Sequence, residues 1–305
     1  MKTYRIDFRN SAVESVLQQR DFIQVFDDTF DILWTSQFNA LKLFANLDSE
    51  AHNPSKLINH FPESRQLTIT ELLNQNLRVY NSKEEGLSIF YYLPKDYDVV
   101  MKEMRGPMLA RPIGHSSGPQ KILSNLEEMK QFKKEQKDKQ YIVQGIGQKP
   151  YYINNQRVQL FLNVVVPSFS PLVAYRYYDG YCKCGDDTIS FSNLLLYLEA
   201  RTSTKDVQMN INRVILHTLK AVQPAIPYVR QCFEVFEFSF ELLQDLRVKL
   251  ISINADINLS MDSSENVEES VEFAERLMRL LIERDDKKWL VVIDERGGRK
   301  WQEYL

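Results

Sequence analysis

An α+β fold is predicted here, mainly antiparallel sheets with flanking helices and a small α/β unit at the N-terminus. Two features of the chain predict it. Strand-like and helix-like segments alternate along its 305 residues, yet many strand-like segments sit in adjacent pairs joined by turn residues, as hairpins do. The opening reads strand, helix, strand, strand, which suggests a separate small unit. Gly114 and Gly118, in the turn after "MLARP", make neither a dinucleotide-binding nor a P-loop fingerprint, so a doubly wound parallel sheet is disfavoured.

"TYRIDF" is the first strand. "NSAVESVLQQR" offers Asn10 or Ser11 as a cap, then apolar residues at Val13, Val16 and Leu17, which is helical spacing. "FIQVF" and "FDILWT" are short strands around the acidic turn "DDT". "LTITELLNQNLRVY" has Thr68 or Thr70 as cap and an apolar stripe through Leu72, Leu73 and Leu77. "MLARP" and "KIL" are strands joined by a Gly/Ser/Pro-rich turn, and "SNLEEMKQFKKEQKDKQ" is a capped helix fading into a solvated charge run.

"YIVQGI" is a strand. "YYINNQRVQLFLNVVVP" and "PLVAYRYYDGYCKC" are strands with turns at Asn154-Asn155, Pro167 to Pro171 and Asp179-Gly180. "VQMNINRVILHTLKAVQPAI" is a helix stopped by Pro224. "FEFSFELLQDLRVKLISIN" is a strand pair turning at the polar "QD". "VEESVEFAERLMRLLIERDD" is a final amphipathic helix with Val271, Phe273, Ala274, Leu277, Leu280 and Leu281 on its apolar face. "KWLVVIDERGGRKWQEYL" starts as a strand and ends as a tail.

A chain of 305 residues can bury a large core and hold two or three units. We divide it into an N-terminal α/β unit over 1–80, a central unit over 81–148 and a C-terminal unit over 149–305. A formal net charge of −3 provides no basic field for nucleic acid. "MKTYRIDFRN" lacks the apolar stretch of a signal peptide, and no run approaches the roughly 18 apolar residues of a membrane span. Neither nucleic acid nor membrane is an expected partner. Cys182, Cys184 and Cys232 are too few for a disulfide framework, and a reduced, cytoplasmic setting is expected. Cys182 and Cys184, at i and i+2, lie on one strand face, and with no His or Cys partner nearby in sequence they do not read as metal ligands.

Several segments in order resemble the tubulin–tyrosine ligase-like family, nearest to its compact glutamylase-type members. They are "SAVESVLQQR" with "FDILWTS", "INHFPESRQLTITELLNQNLRVY", "YLPKDYDVV", "MLARPIGHSSGPQKIL", "YIVQGIGQKPYYINNQRVQLFLNVVV", "PLVAYRYYDGY" and "CFEVFEFSFELLQDLRVKLISIN". The resemblance covers roughly residues 4 to 260. It implies an ATP-grasp fold, with nucleotide between two sheets and the acceptor chain across the cleft.

Carried over position by position, the resemblance places the phosphate-contacting lysine on Arg111. The glycine-rich turn keeps Gly118, but its second glycine falls on Gln120. Gln144 occupies a further nucleotide-binding position. The acceptor-site lysine falls on Arg157, and the Asp and Arg that follow fall on Gln159 and Phe161. The metal-binding Asp and Glu fall on Ser239 and Ser252, while the Asn is kept as Asn254. The family's "HLTN" segment is unmatched in the shortened "LLLYLEARTSTKD".

Two hydroxyls and an amide bring no formal negative charge to Mg²⁺, which normally takes at least one carboxylate. The expectation at this level is a catalytically inactive protein that binds tubulin, a microtubule or axonemal proteins in the cytoskeleton of a cilium or flagellum, and needs no cofactor. The alternatives are an active ATP- and Mg-dependent glutamate ligase, or a noncatalytic subunit of one. In the active case Glu234, Glu237 and Glu241 would be substitute metal ligands and Arg111 the phosphate contact. His60, between Asn59 and Phe61, reads as a partly buried structural histidine, and His115 as a loop residue.

Overall fold

The computed structural model describes residues 2–300 except 9, 47–55, 82–83, 85, 88–89, 94, 105, 114–119, 137–138, 201–202, 230–231, 258 and 260–266. Gly114, His115 and Gly118 therefore lie outside the described residues.

The first sheet is parallel and four-stranded, from β1 (Thr3–Ile6), β2 (Ile23–Gln24), β3 (Ile32–Trp34) and β4 (Leu57–Ile58), in the order β2-β1-β3-β4. Helix α1 (Ser11–Gln19) begins at Asn10, whose side chain accepts from the Val13 amide. It buries the expected Val13, Val16 and Leu17. Helix α2 (Gln37–Asn46) follows β3 and was not legible in the sequence. Two helices continue, α3 (Arg65–Thr68) and α4 (Thr70–Tyr80). Thr68 ends α3, and α4 is preceded by Ile69 with no side-chain cap, so the expected threonine cap is not realised.

The second sheet is antiparallel, from β5 (Phe90–Leu93), β6 (Met108–Pro112), β7 (Lys121–Leu123) and β8 (Tyr141–Gly145), in the order β5-β8-β6-β7. Helices α5 (Tyr97–Glu103) and α6 (Leu126–Glu135) cover one face, where Met108, Ala110, Leu123, Tyr141 and Val143 meet Val100, Met129 and Phe132. Strand alternation turns Leu109, Arg111, Ile142 and Gln144 to the other face.

The third sheet has eight strands, all paired antiparallel: β9 (Tyr152–Ile153), β10 (Gln156–Phe169), β11 (Leu172–Cys184), β12 (Asp187–Ser190), β13 (Glu234–Leu242), β14 (Val248–Asn254), β15 (Trp289–Asp294) and β16 (Arg299–Lys300). Its main path is β14-β13-β10-β11-β15-β16. Residues 299–300 thus pair back on β15, where a tail was expected. β11 also runs unbroken through Asp179-Gly180, and the expected turn there is a bulge instead. Asp179 Oδ1 accepts from the amides of Gly180 and Ser192, and a Cβ at Gly180 would meet the Phe161 carbonyl oxygen at 2.4 Å.

Helices α7 (Phe191–Glu199) and α8 (Thr204–Val222) pack on one face of this sheet. There Val158, Leu160, Leu162 and Val164 of β10 lie beside Phe236, Phe238, Phe240 and Leu242 of β13. Each fully buried Phe is worth about 1.5–3 kcal/mol. Cys182 and Cys184 point into the same core, and all three cysteines are free. Helix α9 (Val267–Met278) packs on α1 and on Tyr177 and Trp289. Arg20 fastens α1 to α9, donating to both oxygens of Glu275 at 3.1 and 2.8 Å and to Glu283 at 2.6 Å.

Candidate functional site

Alternation along β13 settles which side chains can act together. Phe236, Phe238 and Phe240 face the core, so Glu237, Ser239 and Glu241 share the opposite face. Registered beside them on β10 are Asn163, Phe161 and Gln159, and Tyr181 and Lys183 continue the rows on β11. On β14, Asn254 pairs with Glu237 and Ser252 with Ser239. A register shift between Ser239 and Phe240 then turns Ile251 toward the second sheet, where it packs with Leu109, Ile146 and Leu243. This small apolar cluster joins the two sheets. Gln144 reinforces it, donating to the Leu250 carbonyl at 2.6 Å.

Beside that floor lies a charged cluster. Glu241 is fully buried and accepts from Gln159 Nε2 at 3.1 Å, with Arg157 Nη1 at 3.8 Å. Arg157 Nη2 donates to Gln120 at 3.1 Å, which draws Gln120 toward the large sheet. Arg111 approaches from β6 and interacts electrostatically with Glu241 and Tyr92. Its Nε and Nη2 are buried without hydrogen-bond partners, as are Arg157 Nη1, Glu241 Oε1 and Asn163 Oδ1. Burial pulls the Arg111 guanidinium down to about 10, so it stays charged at neutral pH. Burial raises the pKa of Glu241, against the pull of Arg157, Gln159 and Arg111.

The rest of the face is an aromatic pair flanked by Lys183 and Glu237. Phe161 stacks on Tyr181 with centroids 4.7 Å apart, and Lys183 Nζ lies 5.4 Å from the Phe161 ring centre. Tyr181 donates to Glu237 at 3.0 Å. Burial raises the pKa of Glu237, opposed by that hydrogen bond and by Lys183. The structure thus adds Tyr181 and Lys183 to the site. Their i, i+2 spacing in "DGYCKC", alternating with the core cysteines, was the available signal.

The structure gathers Arg111, Gln120, Arg157 and Gln159 around Glu241, and sets Phe161 beside Ser239. Gly118 lies outside the described residues. Glu234 does not join the group. It sits on the opposite face of β13, where His60 Nδ1 lies 2.8 Å from one carboxylate oxygen and the Phe61 amide donates to the other at 3.1 Å. His60 is fully buried rather than partly so, and structural.

Magnesium does not fit the positions that the resemblance implies for it. Ser239 and Ser252 are bonded to each other, Oγ to Oγ at 2.6 Å. Asn254 Oδ1 accepts from the Asp256 amide at 3.2 Å. Glu237 and Glu241 each stand two residues from Ser239, about 7 Å away along the strand, so no two carboxylates converge. Among the described residues no group of three or more His, Cys, Asp or Glu could hold a metal ion.

Comparison with known proteins agrees with this architecture. The model of the tubulin-tyrosine ligase family matches residues 47–188. "Probable alpha-tubulin polyglutamylase Ttll1" of Tetrahymena thermophila is 22% identical over 92% of this chain and 86% of its own length. "Probable tubulin polyglutamylase TTLL2" of Homo sapiens is 23% identical over 87% of this chain, which spans 53% of it. "Tubulin polyglutamylase TTLL5" of Homo sapiens is 24% identical over 86% of this chain, which spans 24% of it.

Two antiparallel sheets that meet through the Leu109, Ile146, Leu243 and Ile251 cluster, with Arg111 of one sheet beside Glu241 of the other, are consistent with an ATP-grasp-like α+β fold. The family match over residues 47–188 and these relatives make the chain similar to the tubulin-tyrosine ligase family. One expectation is corrected. The chain was read as no enzyme, from its neutral metal positions. The relatives carry the names of polyglutamylases, which are ligases, and neutral residues at three positions do not establish inactivity.

Proposed function

We propose that this chain is an ATP-dependent ligase that attaches glutamate to tubulin, using a cleft rebuilt around Arg111, Arg157, Glu237 and Glu241. The relatives named as tubulin polyglutamylases support the substrate and the reaction class. The observation that carries the reading is Arg111, whose Nε and Nη2 are buried between the sheets without partners. A buried donor without an acceptor costs about 1–3 kcal/mol, and more for a charged group. A phosphate-bearing ligand removes that cost, because a guanidinium fork matches phosphate oxygens.

In this site Arg111 and Arg157 orient the anionic end of the nucleotide. The Phe161–Tyr181 stack provides a flat apolar shelf and excludes water beside it. Glu237, with its pKa raised by burial, is the group placed to exchange a proton with an incoming amine. On the same reading the partner is tubulin, in microtubules that include those of cilia and flagella. The units 1–80, 81–148 and 149–305 are the proposed division, and each carries one sheet.

The test is transfer of isotope-labelled glutamate to purified tubulin. ATP-dependent incorporation by the wild type, reduced at least about tenfold by Arg111→Gln, is expected, a loss of about 1.4 kcal/mol or more. No incorporation above a protein-free control contradicts the reading.

A further inference from the structure

In this cleft the charges are arranged in a way that does not suit a bound divalent cation. Around Glu241 two guanidiniums are fixed by packing, Arg111 over the Phe90 ring at 5.9 Å and Arg157 held by Gln120, and Lys183 adds a third cation further along the face. Its fully buried carboxylate, Glu241, is engaged through Oε2 by Gln159 and Arg157 and attracted by Arg111, and its Oε1 is unpartnered. Ser239 and Ser252 satisfy each other's hydroxyls at 2.6 Å. A dication placed among these groups would meet two like charges and, at the two serines, no carboxylate.

Donors outnumber acceptors among the unsatisfied atoms here, where Glu241 Oε1 and Asn163 Oδ1 are the unpartnered acceptors. Three guanidinium nitrogens are buried without acceptors: Arg111 Nε, Arg111 Nη2 and Arg157 Nη1. Such donors call for a ligand rich in acceptor oxygens. Leu109 of the apolar cluster stands two residues from Arg111 on the same strand face, and an apolar surround strengthens each charge–charge contact there.

We infer that the cleft binds its nucleoside triphosphate directly on Arg111 and Arg157, and that this binding needs no divalent cation. The inference rests on the proposed ligase reading for the identity of the ligand. It goes beyond that reading in giving the role of a charge-neutralising metal to the chain's own guanidiniums.

The test is a titration of the purified full chain with a fluorescent ATP analogue, at constant ionic strength, once with EDTA and once with Mg²⁺ in excess. Dissociation constants agreeing within about threefold are expected, with Arg111→Gln weakening binding at least about tenfold in both conditions. Arg157→Gln is the second variant should Arg111→Gln fail to fold, with the same loss expected. Binding only in the presence of Mg²⁺ overturns the inference and leaves the ligase reading standing. Binding in neither condition overturns both. Binding in both conditions that neither arginine variant weakens overturns the assignment to the guanidiniums.

A gain-of-function arm adds a positive control. Ser239→Asp combined with Ser252→Glu places carboxylates where the hydroxyls now pair. Tighter binding with Mg²⁺ than with EDTA in that variant, and not in the wild type, supports the inference. Equal cation enhancement in both proteins counts against it.

Discussion

Strand β13 carries a buried glutamate on each face, and the two are treated in opposite ways. Glu234 faces the core and has both oxygens occupied, by His60 at 2.8 Å and by the Phe61 amide at 3.1 Å. Glu241 faces the cleft and keeps one oxygen unpartnered, near guanidinium nitrogens that also lack partners. Both are fully buried. A satisfied buried charge pair is a structural joint, here linking β13 to the segment after β4. An unsatisfied one is costly unless something else completes it. The difference teaches where to look for a ligand.

The largest expected effect comes from breaking the satisfied pair. Glu234→Ala leaves His60 without its carboxylate and the Phe61 amide without its acceptor, a loss of about 3–5 kcal/mol in urea denaturation. A loss below about 1 kcal/mol would erase the distinction between the two faces. On the cleft face, Glu241→Gln removes a charge that competes with an anionic ligand while keeping an acceptor for Gln159. Its unfolding free energy is expected to change by less than about 1 kcal/mol, while affinity for ATP rises severalfold in the titration described above.

The pH dependence of the pair sharpens the comparison. Burial alone would depress the His60 imidazole. The charge and hydrogen bond of Glu234 outweigh it, with Asp256 at 3.7 Å and the Thr35 carbonyl adding to them, so the pKa is raised. The resulting stabilisation is full below the unfolded value of about 6.5 and is lost as pH rises through the raised folded value. The stability advantage of the wild type over Glu234→Gln should therefore shrink from about pH 6 to alkaline pH. A constant difference would show that His60 does not titrate differently in the folded chain. Smallest of all is Tyr181→Phe, which removes one hydrogen bond to Glu237 at the half-buried edge of the site and is expected to cost about 1 kcal/mol or less by thermal unfolding.

Much of this was legible in the sequence where the information is local. The β13–β14 hairpin follows from its own alternation, and the placement of Glu237, Ser239 and Glu241 on one face follows from a period of two. The cap at Asn10 and the shared strand face of Cys182 and Cys184 are readable for the same reason. Helix α7 carries local signals too, a cap at Ser190 and Phe191, Leu194 and Leu198 on its buried side, which the absence of the family motif from "LLLYLEARTSTKD" masks.

What local pattern could not provide was pairing across distance. His60 and Glu234 are 174 residues apart in the chain, and Glu234 looked equivalent to Glu237 and Glu241 until its face was known. The bulge at Ile251 brings an apolar side chain to the cleft floor, and the one at Asp179-Gly180 looked like a turn. Both depend on the register of neighbouring strands. Arg111 was recognised as a phosphate position, but that its donors lack partners depends on four separate strands meeting.

The most direct measurement pairs stability with binding in one variant. Arg111→Gln is predicted to unfold within about 1 kcal/mol of the wild type in urea, because removing a buried charge with two unpartnered nitrogens offsets the loss of its attraction to Glu241 and its contact with Phe90. The same variant is predicted to bind ATP at least about tenfold more weakly. A variant that loses stability as Glu234→Ala does, while binding ATP as the wild type does, would contradict the account.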